Sequence, residues 1–322
     1  MKFSIVITTY NRLNLLKRAI DSALAQTLPC EVVIVDDCSS DSTQAYVQER
    51  CEALASMGEK RLIYHRNLEN IGHSKSVNAG VDLATGDWIK LLDDDDYLAP
   101  NCIEEMTNAI ALHSQAVICS CQAIQVDDQE IEISRTRKTG PGKVFYIPQE
   151  DIHYGMLMEQ VPFGTPVQVA FSRDAFLKTG GWDSTLDTNF DDIDSWIKIS
   201  QFGDAIFINE CLGCRTVWQG ALNQKFSLQN RLDTNILIKK RIYSQVNPKY
   251  CSELPQFQDI RDYLKLHWSL VGLKQGKLFN AVQISFPALF SPGAWHLLRE
   301  ARRSRPSINS SDFIQKLVLV SD

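Results

Sequence analysis

Four consecutive acids, Asp93-Asp94-Asp95-Asp96, follow directly on the apolar run Trp88–Leu92. Like charges at this density repel, and packing them at the end of a buried strand costs stability. Side chains two apart on an extended chain point to the same side. Asp93 and Asp95 are therefore expected to converge on one point while Asp94 faces away. Two convergent carboxylates are the hard oxygen ligands that Mg²⁺ or Mn²⁺ prefers, and such an ion keeps coordination sites for phosphate oxygens. The plainer reading is a solvated turn that caps the next helix, because Asp is favourable near a helix start. Four acids exceed what a cap requires. A calcium loop of EF-hand type starting at Asp93 fails, since Leu98 stands where glycine is needed.

Two further polar clusters sit at element ends. Asp36-Asp37 closes the run "EVVIV". Asp36 reads equally well as a turn residue beside Ser39, Ser40 and Asp41; Asp37 reads as a base or ribose contact. Thr9, Tyr10 and Asn11 close the first apolar run, where Tyr10 could stack on a flat base or pack on a sheet edge. Later, Asp183, Asp187, Asp191, Asp192 and Asp194 crowd one segment. Acids at a helix start contribute only about 0.3–1 kcal/mol each. Their density favours function over capping.

The elements that must position these residues alternate along the first hundred positions. "FSIVITTY", "EVVIVDD", "RLIYH" and "DWIKLL" read as strands. Between them lie helical patterns. The first has Leu15, Leu16, Ala19, Ile20, Ala23 and Leu24 at helical spacing after a possible Asn11 cap. The second starts from Asp41 and Gln44 at capping-box spacing and ends near Gly58. The third runs from about His73 to Ala84. Such alternation predicts an α/β fold with a mostly parallel central sheet flanked by helices. Ligands in such sheets sit outside the carboxyl ends of the strands, where three of these runs turn polar. After Pro100 come a helix to about His113 and strands at "AVICSCQAIQV", "IEIS" and "KVFYI". A helix follows from Asp191, with Ile193, Trp196, Ile197 and Ser200 in phase. From Phe226 the chain reads as mostly helical. Two regions are expected: a catalytic domain over 1–225 and a helical, basic region over 226–322.

Composition narrows the class. The chain has 322 residues, 44% hydrophobic and 22% charged, with net charge −6. It is an ordinary globular composition and excludes a general nucleic-acid binder. Nine scattered cysteines read as free thiols of a reducing compartment. The lone CxxC, Cys211 to Cys214, lacks the second pair of a structural zinc site. Thr8 to Arg12 break the first apolar run too early for a signal peptide, and no run approaches the roughly twenty residues that span a bilayer. The expected location is cytoplasmic, with peripheral attachment to the inner face of the plasma membrane as an option. From Leu264 to Pro306, Lys265, Lys274, Lys277, Arg299, Arg302, Arg303 and Arg305 stand against Glu300 alone, beside Trp268, Phe279, Phe286, Phe290 and Trp295. This pattern fits an interfacial helix on anionic lipid and, equally, a basic cap on an acidic domain.

Five segments occur in order: "SIVITTYNRLNLLKRAIDSALAQT", "EVVIVDDCSSDST", "NIGHSKSVNAG", "ATGDWIKLLDDDDYLAP" and "GGWD…FDDIDSWIK". Together they resemble the family-2 glycosyltransferases, nucleotide-sugar-dependent enzymes of the GT-A fold, over about two thirds of the chain. The resemblance implies a site. Thr9, Tyr10, Asn11 and Arg12 would line the nucleobase pocket, and Asp37 would contact uracil or an equivalent base. Lys75, Asn78 and Asp94 would also serve the donor. Asp93 and Asp95 would form the metal-binding DxD pair, Asp95 the closer ligand, with Mn²⁺ or Mg²⁺ bridging the diphosphate. Asp192 would be the catalytic base, with Asp191 as fallback, and Gly181, Trp182 and Asp183 would face the acceptor. The implied activity is metal-assisted, inverting transfer of a sugar, from a UDP-sugar first of all, to a hydroxyl of a glycan or lipid-linked acceptor. The implied setting is polysaccharide, glycolipid or other glycan synthesis. Two positions depart from the pattern. Val77 precedes Asn78 where an arginine is common, leaving Lys75 as its substitute, and Trp218 stands where a histidine is common.

Two competitors remain at this level. A sugar-phosphate nucleotidyltransferase would carry a glycine-rich basic loop after the first strand, but "TTYNRLN" has no glycine. A non-catalytic nucleotide-sugar-binding module would let the acids decay, yet Asp93, Asp95 and Asp192 all stand. A dinucleotide dehydrogenase lacks its GxGxxG.

Overall fold

A computed structural model describes residues 1–161, 163–186, 190–218, 227–286, 288–303 and 315–317. Asp187, Arg305 and the expected boundary at 225/226 lie outside the described residues. The first half follows the alternation in the sequence. Strands β1 (Phe3–Thr9), β2 (Glu31–Asp36), β3 (Leu62–Arg66) and β4 (Trp88–Asp93) are joined by helices α1 (Leu13–Leu24), α2 (Thr43–Ser56) and α3 (His73–Leu83). These strands run parallel in the order 3-2-1-4. Thr9 pairs with Asp36 and Thr8 with Asp93. That register places all three polar strand ends on one edge.

The rest of the sheet is mixed. β5 (Tyr97–Leu98) and α4 (Cys102–Ala111) lead into β6 (Ala116–Val126), β7 (Glu132–Arg135) and β8 (Val144–Ile147). Next come α5 (Gln149–Leu157), β9 (Val169–Ser172), α6 (Arg173–Lys178), α7 (Asp191–Ile199) and β10 (Asp204–Thr216). β9 lies antiparallel between β4 and β6, while β10 runs parallel to β6. Helices α8 (Leu228–Gln245), α9 (Phe257–Lys274), α10 (Leu278–Ser285) and α11 (Pro292–Arg303) follow, then β11 (Gln315–Leu317). The described strands form one sheet, and β11 pairs antiparallel with β8 at its edge.

Strand alternation divides the core into two layers. Ile5 and Ile7 of β1 pack with Leu16, Ile20, Ile34 and Met106 on one face; Val6 packs with Val33, Val35, Val77, Val81, Phe171 and Trp196 on the other. The sheet is thus covered on both sides, which is why its strands read as continuous apolar runs. Lys90 is the exception within β4. Fully buried, its Nζ donates to the carbonyls of Leu91 (2.7 Å) and Pro166 (2.8 Å). Burial lowers its pKa. The C-terminal helices join this body through α8. Buried Lys239 of that helix donates to the carbonyls of Met156 (3.1 Å) and Leu157 (2.7 Å) at the end of α5.

Two expected caps differ. Asn11 does not cap α1: it takes a left-handed φ of 54°, and its Oδ1 accepts from the Ser40 amide (2.7 Å). Asp41 does not form a capping box with Gln44, since α2 begins at Thr43 after Ser42. Its Oδ1 accepts from Thr43 N (3.0 Å) and its Oδ2 from Leu13 N (3.2 Å), at the start of α1. Because β1 and β2 are neighbours, the two strand–helix loops lie side by side and exchange side chains.

Helix α3 approaches the sheet closely at Gly80. A Cβ there would lie 2.4 Å from Val6 Cγ1 and 3.1 Å from Val35 Cγ2. Alanine gains about 1 kcal/mol in helix propensity, while overpacking a core costs about 1–3 kcal/mol. Gly80→Ala is expected to lower unfolding free energy in urea by up to about 2 kcal/mol. Stability at or above that of the parent chain would show that the α3–β1 contact is looser than described.

Candidate active site

A cavity of about 440 Å³ opens where β1, β2 and β4 end. Its wall takes Thr8, Thr9, Tyr10 and Arg12 from the first strand end, Asp37 from the second and Asp93–Asp96 from the fourth. Gly72, His73 and Ser76 come from the start of α3, Asp191 and Asp192 from the start of α7, and Arg215 and Thr216 from the end of β10. Trp182 also lines it.

The four acids divide by orientation. Asp94 stays outside the cluster of the other three and is held by Thr9 Oγ1 (2.8 Å) and an Arg12 guanidinium nitrogen (3.0 Å), which also lies 3.5 Å from Asp95 Oδ2. Asp93, Asp95 and Asp96 each offer a carboxylate oxygen within 4.8 Å of the others. Asp96 is an addition to the expected pair. Burial, then the charges of Asp95 and Asp93, push its carboxyl well above the usual range. Burial and Asp93 raise Asp95 in the same direction. Asp93 goes the other way: against the cost of burial, the hydrogen bond and charge of His73 lower its pKa. Three convergent carboxylates, two of them short of neutralising charge, fit a hard divalent cation.

Fixed groups hold this set. The Trp218 indole N–H donates to Asp95 Oδ2 at 2.8 Å, and Arg12 lies over that ring, 5.3 Å from its centre. The Thr216 amide donates to Asp96 Oδ1 (2.8 Å), and Arg18 donates to the Asp95 carbonyl (2.7 Å). Trp218 thus does not leave a gap where a histidine is common; it orients a candidate ligand.

His73 is the largest omission of the sequence reading. It stands first in α3, its Nε2 3.6 Å from Asp93 Oδ1 and its Nδ1 3.4 Å from Asp191 Oδ2. Its ring meets Trp182 edge-on at 5.4 Å. Burial opposes its charge, but Asp191 and Asp93 outweigh that and keep the imidazole protonated well above its ordinary range. One cation therefore joins the strand-end acids to the helix-start acids. Arg215, named in the sequence only as part of "RTVW", also reaches the wall.

At the start of α7, Phe190 takes a left-handed φ of 67° and turns the chain into the helix. Asp191 Oδ1 accepts from the Asp192 amide (3.0 Å), and Asp192 Oδ1 from the Ile193 amide (2.7 Å). Burial, and next the Asp191 carboxylate, push the Asp192 carboxyl up to about 7.

The other expected residues separate. Tyr10 is half exposed on the cavity wall. Asp37 lines the cavity but carries internal donors: Asn67 Nδ2 (2.8 Å) and the amides of Ile71 (2.9 Å) and Gly72 (3.0 Å). Lys75 does not replace the absent arginine contact. It is exposed and outside the wall, because the helical phase turns His73 and Ser76 inward instead. Asn78 and Asn11 also lie outside it. Asn78 clamps the glycine turn, accepting from Trp182 N (2.8 Å) and donating to the Trp182 carbonyl (3.1 Å). Gly181 sits over that amide with φ 82°, its absent Cβ only 2.6 Å from Asn78 Oδ1. Asp183 pairs with Arg241 (3.2 Å), which also binds buried Asp194, so the turn, α7 and α8 are locked together. Cys211 and Cys214 stay free on β10, and the described residues offer no metal cluster except the acidic triad.

A mixed sheet covered on both faces, with a cavity and a carboxylate triad at the ends of its strands, is an architecture of GT-A type. The chain matches the model of Glycosyl transferase family 2 over residues 4–180, more than half its length, and belongs to that family. It is 28% identical over 273 residues to the glucosyl-dolichyl phosphate glucuronosyltransferase of Haloferax volcanii, covering 82% of each chain. The matches to the first three curated relatives span 44%, 62% and 35% of those proteins. Among solved structures, TarS of S. aureus in complex with UDP aligns with TM-score 0.60 and 17% identity over 94% of this chain and 87% of that one. The mannosyltransferase of Pyrobaculum calidifontis, in complex with GDP-Man and Mn²⁺, aligns with TM-score 0.60 and 18% identity over 95% and 81%. These two likenesses establish the fold.

Loss of an outer partner of a metal ligand typically weakens metal binding about 10–100-fold. Trp218→Phe keeps the ring under Arg12 and removes the N–H to Asp95. It is expected to weaken Mn²⁺ binding, measured by calorimetry, by about 10-fold. An unchanged Kd would remove Asp95 from the metal set.

Proposed function

We propose that this chain is an inverting glycosyltransferase that moves a sugar from a nucleoside-diphosphate donor, UDP foremost, to an acceptor hydroxyl in glycan synthesis. The catalytic unit in this reading is 1–225, with 226–322 as a helical, basic region docked through α8. One observation carries the proposal: a carboxyl raised to about 7, Asp192, shares a cavity with a triad of oxygen ligands at the strand ends. A general base works best with a pKa near the working pH.

In the proposed step the acceptor oxygen bonds to the anomeric carbon as the bond to the diphosphate oxygen breaks. The acceptor proton passes to Asp192. One base opposite the leaving group gives single displacement with inversion. Mn²⁺ or Mg²⁺ held by Asp93, Asp95 and Asp96 would offset the charge growing on the leaving diphosphate. Tyr10 and Asp37 would meet the nucleobase, Arg12 and Arg215, which line the wall, would meet phosphate, and Trp182 would face the acceptor. The UDP bound by TarS and the Mn²⁺ bound by the mannosyltransferase support the donor class and the metal. The name of the Haloferax relative supports a lipid-linked acceptor. Against a nucleotidyltransferase, the β1–α1 loop has no glycine to cradle a triphosphate.

The sign of the pH dependence follows from the base role. Protonated Asp192 cannot accept a proton, so turnover should rise with pH through a limb at or below about 7; a cation on the triad stabilises the carboxylate and moves the limb down. Asp192→Asn should still bind a UDP-sugar in a thermal-shift assay and lose turnover by about 10²–10⁴-fold. Release of UDP with Mn²⁺ is the expected product signal. Pyrophosphate release would replace the reading with nucleotidyl transfer. Binding without turnover in the unsubstituted chain would leave only a binding module.

A further inference from the structure

Helix α10 is apolar on both faces. Ala281 and Ile284 are buried toward α9, where Ser269 Oγ bonds to the Ala281 carbonyl at 2.9 Å. The outward face carries Leu278, Phe279, Val282 and Phe286, spaced i, i+1, i+4 and i+8 and so aligned as one stripe. All four are exposed, Phe279 to 82% and Phe286 to 65%. The following turn adds Leu289 and Phe290, the latter 78% exposed and edge-on to Phe286 at 6.2 Å. Single exposed apolar residues are ordinary, but a contiguous patch marks an interaction surface.

Charge identifies what it meets. The chain as a whole carries −6, yet residues 263–299 contain no Asp or Glu. They contain Lys265, Lys274, Lys277 and Arg299. Lys274, the last residue of α9, and Lys277, just before α10, are exposed at the head of the stripe. Aromatic and aliphatic side chains flanked by lysines, with no acid among them, suit the boundary between lipid headgroups and acyl chains of an anionic bilayer. A second copy of this chain fits less well. Self-pairing about a two-fold axis sets the same patch against itself, which brings Lys274 and Lys277 toward their own copies. Among the described residues no helix is long and apolar enough to cross a membrane, so this surface would lie on the bilayer.

We infer that α10 and the turn after it, Leu278 to Phe290, form a docking surface for an anionic membrane. The inference does not rest on the donor or the base proposed above. Co-sedimentation of the full chain with phosphatidylcholine vesicles, with and without phosphatidylglycerol, tests it. The chain should bind the phosphatidylglycerol vesicles, bind phosphatidylcholine alone weakly, and lose affinity as salt rises. The variant Phe279→Ser/Phe286→Ser/Phe290→Ser should keep its melting temperature and bind at least about 10-fold more weakly. Lys274→Glu/Lys277→Glu should lose the preference for the anionic lipid. Asp192→Asn should bind as the parent does, which separates this surface from the catalytic reading. No binding by the parent chain, or equal binding by the triple-serine variant, would overturn the inference. So would a dimer in light scattering that the serines abolish while no vesicle binding is seen.

Discussion

Crowded negative charge at the carboxyl end of the sheet is the constraint around which this molecule is organised. Seven acids line the cavity, Asp37, Asp93 to Asp96, Asp191 and Asp192, against Arg12, His73 and Arg215. Each carboxylate that enters a partly dry cavity loses hydration and repels the rest. The chain answers with fixed donors from separate elements: Arg12 and Thr9 on Asp94, His73 on Asp93 and Asp191, Trp218 on Asp95, and the Thr216 amide on Asp96. What these donors leave uncompensated shows in the raised carboxyls of Asp94, Asp95, Asp96 and Asp192. Unneutralised charge stored in this way is consistent with a place for a hard divalent cation.

The scaffold serves that arrangement at some cost to itself. Parallel pairing of β1 with β2 and β4 is what brings three loops to one edge. The loops are then braced by buried polar groups. Asp36 is fully buried and accepts from Tyr64 Oη (2.7 Å), an Arg66 guanidinium nitrogen (3.0 Å) and the Ser39 amide (2.8 Å). Asp37 fastens the segment that leads into His73. Lys90 sits beneath the acids, its ammonium donating to the carbonyls of Leu91 and Pro166, and so ties β4 to the turn before β9. Buried polar groups are tolerable only when satisfied, and most of these partners lie far away in sequence.

That distance sets the limit of what the sequence discloses. Strands and helices of the first half were legible because period-2 and helical patterns are local, and the acid runs stood out by density alone. β6 agrees with its sequence boundaries residue for residue. Asp96 escaped because strand alternation describes only the extended part of the chain: after Asp93 the backbone turns, bonding Asp96 N to the Asp93 carbonyl, so the fourth acid folds back toward the first. His73 carried no signal beyond standing after Gly72; its role exists only once α3 and α7 meet. Lys75 and Asn78 were assigned by motif position, yet helical phase sends one to solvent and the other to the glycine turn. Asn11 and Asp41 exchanged duties because two loops remote in sequence are neighbours in the sheet.

The same charge economy bears on where the molecule can work. A chain of net −6 whose cavity is lined by acids is repelled, on average, by an anionic surface. Screening limits that repulsion to about 8–10 Å at ordinary salt, so distribution matters more than the total. Keeping acids out of residues 263–299 leaves one segment free to be attracted while the cavity keeps its own negative charge. The attraction of two or three lysines is about 1 kcal/mol each near such a surface. The larger contribution must come from the apolar stripe beside them, at about 25 cal/mol per Å² removed from water. On the proposed membrane surface, charge would select the lipid and orient the chain, and Phe279, Phe286 and Phe290 would supply the holding force.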